Sequence, residues 1–110
     1  MIAEADIEKA LDYLRTSAEH AAQARANMKY LTEFLKSKRA QLKLKQAGLS
    51  NAAAEDAALA DPAYLEALDG YRVAVEQDAR HQFKREAAVA LIDAWRTQQS
   101  NARAEGRAYG

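Results

Sequence analysis

A run of charge of one sign lies in ten residues, KSKRAQLKLK, which carry Lys36, Lys38, Arg39, Lys43 and Lys45 and no acid. Such a run would hold nucleic-acid phosphates, with Tyr30 or Phe34 near enough in sequence to stack on a base. Its commoner use is to end a helix, where cations complement the dipole, and to face an acidic partner segment. The spacing distributes the five bases over several helix faces, so some would point away from that partner.

The two histidines give a weaker pattern. Asp78 precedes His81 by three residues, a spacing used by carboxylate-bridged metal bundles, which need a Glu-x-x-His pair on each of two helices. The matching position before His20 is Ser17, so the set is incomplete, and no metal or other cofactor is expected. With a connection centred near residue 53, position 20 pairs with 86 and 81 with 25, which spaces the histidines one to two turns apart. Ser17, Ser37, Ser50 and Ser100 have no histidine placed to activate them. There is no Gly-rich phosphate loop and no His-Glu-x-x-His. The chain is not expected to be an enzyme. Tyr64, Tyr71 and Trp95 sit at helical spacing and read as core, whereas Tyr109 falls in an exposed tail. Arg96 beside Trp95, and Asn101 in the polar stretch after it, are the candidate partner surface.

Long helices must position these residues. With 49% hydrophobic residues, much of it alanine, 29% charged residues, four Gly and one Pro in 110, the composition is that of long helices in one small domain. From about residue 3 to 46, Ile7, Leu11, Leu14, Ala18, Ala21, Met28, Leu31, Leu35 and Leu42 recur three, four or seven apart. Ala10, Tyr13, Ala24, Tyr30 and Phe34 widen the stripe. Glu4, Asp6 and Glu8 open this helix, and Gly48 stops it. Residues 47–61 form a connection in which Ser50 caps a short helix. Asp61-Pro62 starts a second long helix, to about residue 102, with Tyr64, Leu65, Leu68, Tyr71, Val75, Ala79, Phe83, Ala87, Ala90, Leu91, Ala94 and Trp95 at helical spacing. Residues 103–110, with Gly106 and Gly110, read as a frayed tail.

The expected fold is all-α: a long antiparallel helical hairpin with a short helical connection. Its apolar stripes are wider than one hairpin seam needs, so a homodimer forming a four-helix bundle, or a higher oligomer, is expected. Bases 36–45 should meet the acids Glu55, Asp56, Asp61, Glu66 and Asp69 near the tip. At the open end Glu4, Asp6, Glu8 and Asp12 should face Arg96 and Arg103. Zero net charge gives no global pull toward nucleic acid or membrane. The absence of Cys excludes disulfides, and no apolar run approaches the roughly 18 residues of a membrane span. With an acidic start lacking the apolar core of a signal peptide, the protein is read as cytoplasmic.

The run SNAAAEDAALADPAYLEALDGYRVAVEQ, followed by AAVALIDAWRTQQSNARA, resembles a group of small helical proteins of tailed bacteriophages and prophages. These are encoded near early recombination and replication genes. The resemblance covers roughly residues 28 to 104, including Tyr30, Glu33 and Phe34. It rests on Asp61-Pro62-Ala63-Tyr64, Ala74-Val75-Glu76 and Trp95-Arg96-Thr97 leading to Ser100-Asn101. It implies the cytoplasm of a bacterial host and a non-enzymatic accessory role in viral DNA metabolism. The expected partners are the chain itself and a recombinase, a single-strand-binding protein or a host nuclease. Two alternatives stand beside it: direct nucleic-acid binding through residues 36–45, and inhibition of a host defence or nuclease protein. In the second, segment 55–78, with seven acids and one base, would imitate a phosphate backbone.

Overall fold

The computed structural model describes residues 1–109, with side chains through Ala108. Three helices carry nearly all of it: α1 (Glu4–Leu44), α2 (Asn51–Ala60) and α3 (Pro62–Tyr109). The all-helical class is the expected one, and no strand occurs among the described residues.

Local chemistry sets the boundaries. Acids Glu4 and Asp6 open α1 and Lys43 closes it, in line with the dipole. The turn after it passes through Gly48 at φ +88°, a left-handed conformation in which a Cβ would clash with the backbone. Ser50 Oγ then accepts the Ala53 N–H at 3.2 Å and caps α2. Asp61 serves two helices. Its N–H donates to the Ala58 carbonyl at 3.2 Å, ending α2. Its carboxylate accepts the Ala63 N–H at 2.8 Å, and Pro62 occupies the first position of α3, where no amide hydrogen is needed.

The expected tail is a correction. α3 runs on through residues 103–109 instead of fraying near 102. The stretch NARAEGRA is built of strong helix formers, and one glycine costs only about 1 kcal/mol against alanine. Its polarity reflects solvent on every side, since residues 101–108 are all exposed. The readings for the Tyr109 side chain and for Gly110 lie outside the described residues.

The chain divides into two compact units. Unit 1 pairs Met1–Ala21 with the chain from Arg80 onward; unit 2 is Ala22–Ala79. In both, the buried and half-buried positions include a series that steps three, then four. In unit 1 these are Ile7, Ala10, Leu14, Ser17 and Ala21 on α1, and His81, Arg85, Ala88, Ile92 and Trp95 on α3. In unit 2 they are Ala24, Met28, Leu31, Leu35, Lys38 and Leu42 on α1, and Tyr64, Ala67, Tyr71, Ala74 and Asp78 on α3. Such alternation is the a/d seam of a coiled coil.

The helices of unit 1 run antiparallel. The Ile2 N–H donates to Gln98 Oε1 at 3.1 Å, and further along Arg85 reaches Ser17 Oγ at 2.8 Å. Ile7, Ala10, Ala88 and Ile92 form its core, with Ile2, Tyr13, Leu14, Leu91 and Trp95 packed against them. The buried residues of unit 2 are Leu42, Ala54, Ala58 and Ala74, three of the four being alanine.

The seam differs from the expected stripe. Leu11, Leu65, Leu68, Val75 and Phe83 are exposed, at 52%, 51%, 41%, 38% and 69%. Ser17, Ala67, Ala74 and Arg85 lie at the seam instead. Choosing the largest apolar residue in each turn misplaces the stripe because small side chains let helix backbones approach.

Candidate interaction surfaces

The seam assigns every other residue of unit 2 to a flank. One flank of α1 carries Arg25, Lys29, Thr32, Lys36, Arg39 and Lys43, spaced four, three, four, three, four. Three of the five bases expected to scatter thus share one face, joined by Arg25 and Lys29. Beside this ridge, on the corresponding flank of α3, stand Leu65, Leu68, Arg72 and Val75. Of the remaining bases, Lys38 occupies a half-buried seam position, and Lys45 follows the end of α1 and is exposed.

The expected meeting of bases with acids near the tip is corrected. Among the described residues no carboxylate lies within ion-pair distance of Lys38, Arg39, Lys43 or Lys45. Lys36 reaches only Glu33 on its own helix, at 3.3 Å. The register explains this. The α3 residues beside the ridge are Leu65, Leu68 and Val75, while Glu66, Asp69 and Glu76 sit on the turns that face away. Arg72 holds Asp69 at 3.0 Å and Glu76 at 3.6 Å along α3. Arg25 crosses from α1 to Asp78 at 2.8 Å, with the Asp78 side chain 13% exposed. That hydrogen bond, and then the charge of Asp78, hold the Arg25 pKa above its ordinary value. With Asp61 engaged as a cap, four of the seven acids of segment 55–78 bind within the chain, while Glu55, Asp56 and Glu66 are exposed.

The opposite flank of α1 in unit 2 carries Gln23, Asn27, Tyr30, Phe34, Ser37, Gln41 and Leu44, and no charge. Tyr30 and Phe34 are 66% and 39% exposed, and their rings stack on each other at 6.3 Å and 23°. Gly70 lies on the neighbouring flank of α3, where a Cβ would meet nothing within 4 Å. Sequence reasoning missed this flank because its members are ordinary polar residues. Its signal was the absence of charge at every third or fourth position in a highly charged helix.

In unit 1 the expected pairing at the open end is also corrected. Asp12 pairs with Arg15 and Arg96 with Asp93, each on its own helix, the latter at 3.7 Å. No ion pair joins Glu4, Asp6 or Glu8 to Arg96 or Arg103 among the described residues. Exposed side chains three or four apart on one helix meet more readily than those across the seam. Arg96 lines a shallow hollow of about 270 Å³ with Trp95, Gln99 and Arg103. Asn101, five residues on, is exposed on another face, so the structure does not join it to Arg96. Arg85, unnoticed in the sequence, donates from one guanidinium nitrogen to the Leu14 carbonyl and Ser17 Oγ, both at 2.8 Å.

Ser17 facing Arg85 also sets the level of the histidines. Four residues further along each helix, His81 stands opposite Ala21, so His20 and His81 share one level instead of being one to two turns apart. His81 is half-buried at the seam and His20 exposed. No group of three His, Cys, Asp or Glu side chains converges as a metal site among the described residues. Nor is any helix long and apolar enough to cross a membrane.

Comparison of the chain with protein-family models, with curated proteins and with solved structures finds no match.

Proposed function

We propose that this is a non-enzymatic interaction protein that works by presenting the helical surface of unit 2 to another protein. One observation carries the reading: in unit 2 three of the four buried residues are alanine, while Leu65, Leu68 and Val75 face solvent on one flank. Apolar area left outside a core is recovered by binding, at roughly 25 cal/mol per Å² before the costs of association. Leu65, Leu68 and Val75 beside Lys29, Arg39 and Lys43 suit an amphipathic partner segment with acidic edges. The resemblance of the chain to phage proteins supplies the setting, an accessory role in viral DNA metabolism. The candidate partners are a recombinase, a single-strand-binding protein or a nuclease.

The test is direct binding of purified candidates from these three classes to the protein and to its Leu65→Glu/Leu68→Glu variant. The expected result is binding by the parent chain and at least a tenfold loss in the variant, with circular dichroism unchanged. Failure of all three to bind would overturn the reading.

Direct contact with nucleic acid is the second reading, favoured by the ridge Lys29, Lys36, Arg39 and Lys43. It requires retention of single or double strands that weakens steeply with salt. Retention unchanged by Lys36→Gln/Arg39→Gln/Lys43→Gln would remove it.

A further inference from the structure

The uncharged flank of α1 has an internal order that its lack of charge alone does not demand. About the level of Thr32 six of its seven positions mirror one another, Leu44 excepted: Gln23 with Gln41, Asn27 with Ser37, Tyr30 with Phe34. Two of the pairs match in kind, amide with amide and ring with ring, and the third sets an amide opposite a hydroxyl that can hydrogen-bond to it. A surface that reads the same in both directions along a helix is what a two-fold interface requires, where residue i meets residue j and j meets i.

We propose that a second copy of this chain docks on this flank, α1 antiparallel to its counterpart, with a two-fold axis at the level of Thr32. Tyr30 of each copy packs on Phe34 of the other. On either side Asn27 meets Ser37 of the second copy, and Gln23 meets its Gln41. The contact from Gln23 to Gln41 is about 27 Å long at 1.5 Å rise per residue.

Two further observations favour a second copy as the occupant. First, the flank is free of charge in a stretch where Arg25, Lys29, Glu33, Lys36, Lys38, Arg39 and Lys43 lie at the other positions. Two identical uncharged stripes meet without repulsion, whereas the basic ridge could not face itself. Interface centres are depleted of charge and enriched in aromatic residues in the same way. Second, the side chains of Gln23, Asn27, Ser37 and Gln41 are exposed and hydrogen-bond to nothing within the described residues. All four can therefore pair across the axis. Gly70, where a Cβ would meet nothing within 4 Å, leaves the flank beside Phe34 open to an approaching side chain.

The inference rests on unit 2 being an interaction module, but the two claims fail separately because they use opposite flanks. The chain has no cysteine, so introduced ones report cleanly. Chains carrying Asn27→Cys and chains carrying Ser37→Cys are mixed, equilibrated and treated with a short bis-maleimide. The geometry requires covalent dimer from the mixture, and little from either chain alone, since each residue lies ten positions from its own copy along the pair. Lys36→Cys in place of Ser37→Cys should not cross-link. Sedimentation equilibrium of the parent chain should give a dimer. Tyr30→Asp/Phe34→Asp should give a monomer with unchanged helicity and retained binding to any partner that depends on Leu65 and Leu68. A monomeric parent chain at micromolar concentration, or cross-linking through Lys36→Cys as efficient as through Ser37→Cys, would overturn the proposal.

Discussion

The two units spend the same kind of sequence differently. Unit 1 seats Ile7, Ala10, Ala88 and Ile92 in a core and closes over it with Ile2, Tyr13, Leu14, Leu91 and Trp95. Unit 2 buries Leu42, Ala54, Ala58 and Ala74 and turns larger apolar side chains outward. Stability and association are therefore expected to separate along the chain. Apolar substitutions in the core of unit 1 should act on folding, and those on the outer flanks of unit 2 on binding.

The sharpest way to break that contrast is a pair of truncations. Ile92 is 7% exposed among Ile7, Ala10 and Ala88. Ile92→Ala is expected to cost about 2–4 kcal/mol through lost burial and the cavity left behind. Leu68→Ala, at a residue 41% exposed, should stay within about 0.5 kcal/mol. Urea unfolding followed by circular dichroism, at matched protein concentrations, measures both. Equal losses would mean that unit 2 buries Leu68 in the assembled protein.

A smaller effect separates polar from apolar support within unit 1. Arg85 lies at a seam position with the Leu14 carbonyl and Ser17 Oγ as acceptors, and Ser17 is 8% exposed. Ser17→Ala removes one of two acceptors from a half-buried cation and is expected to cost about 1–2 kcal/mol. A polar contact at the seam also penalises a slipped register, which would strand the guanidinium against apolar neighbours. The same unfolding assay reads the loss.

How far the sequence discloses this arrangement depends on the residue. Asp61-Pro62, Ser50 and Gly48 act within a few residues of themselves, and their roles were legible from type and position. The three-four seam was also present in the sequence, but only if Ser17, Asp78 and Arg85 count as seam residues. A hydrophobicity criterion passes over all three. The missing ion pairs near the tip had a different cause. Matching basic and acidic segments by distance from the turn ignores which side of each helix the charges occupy. For the basic ridge the decisive fact is the flank: Arg39 shares its side of the seam with Leu65 and Leu68, not with Glu66. The mirrored flank about Thr32 could have been read in advance only with the seam already assigned.

Gly70 gives a gain of about the size of one helix propensity. A Cβ there meets nothing within 4 Å, and the residue lies within α3. Gly70→Ala is expected to stabilise the fold by up to about 1 kcal/mol when measured at protein concentrations low enough for the monomer to dominate. The gain should shrink as concentration rises if a second copy comes close to that flank. A thermal melt series across protein concentration follows both.

The smallest expected effect tests whether unit 1 is as well satisfied as its core suggests. The Tyr13 hydroxyl is buried at the rim of that core and has no hydrogen-bond partner. A hydroxyl withdrawn from water without a new partner costs free energy that the ring's burial must offset. Tyr13→Phe removes the penalty and keeps the ring, so a gain of a few tenths to about 1 kcal/mol is expected in the urea midpoint. A loss would show that the hydroxyl is paired in the assembled protein. Unit 1 would then also be completed by a neighbour, and the division of labour between the units would fall.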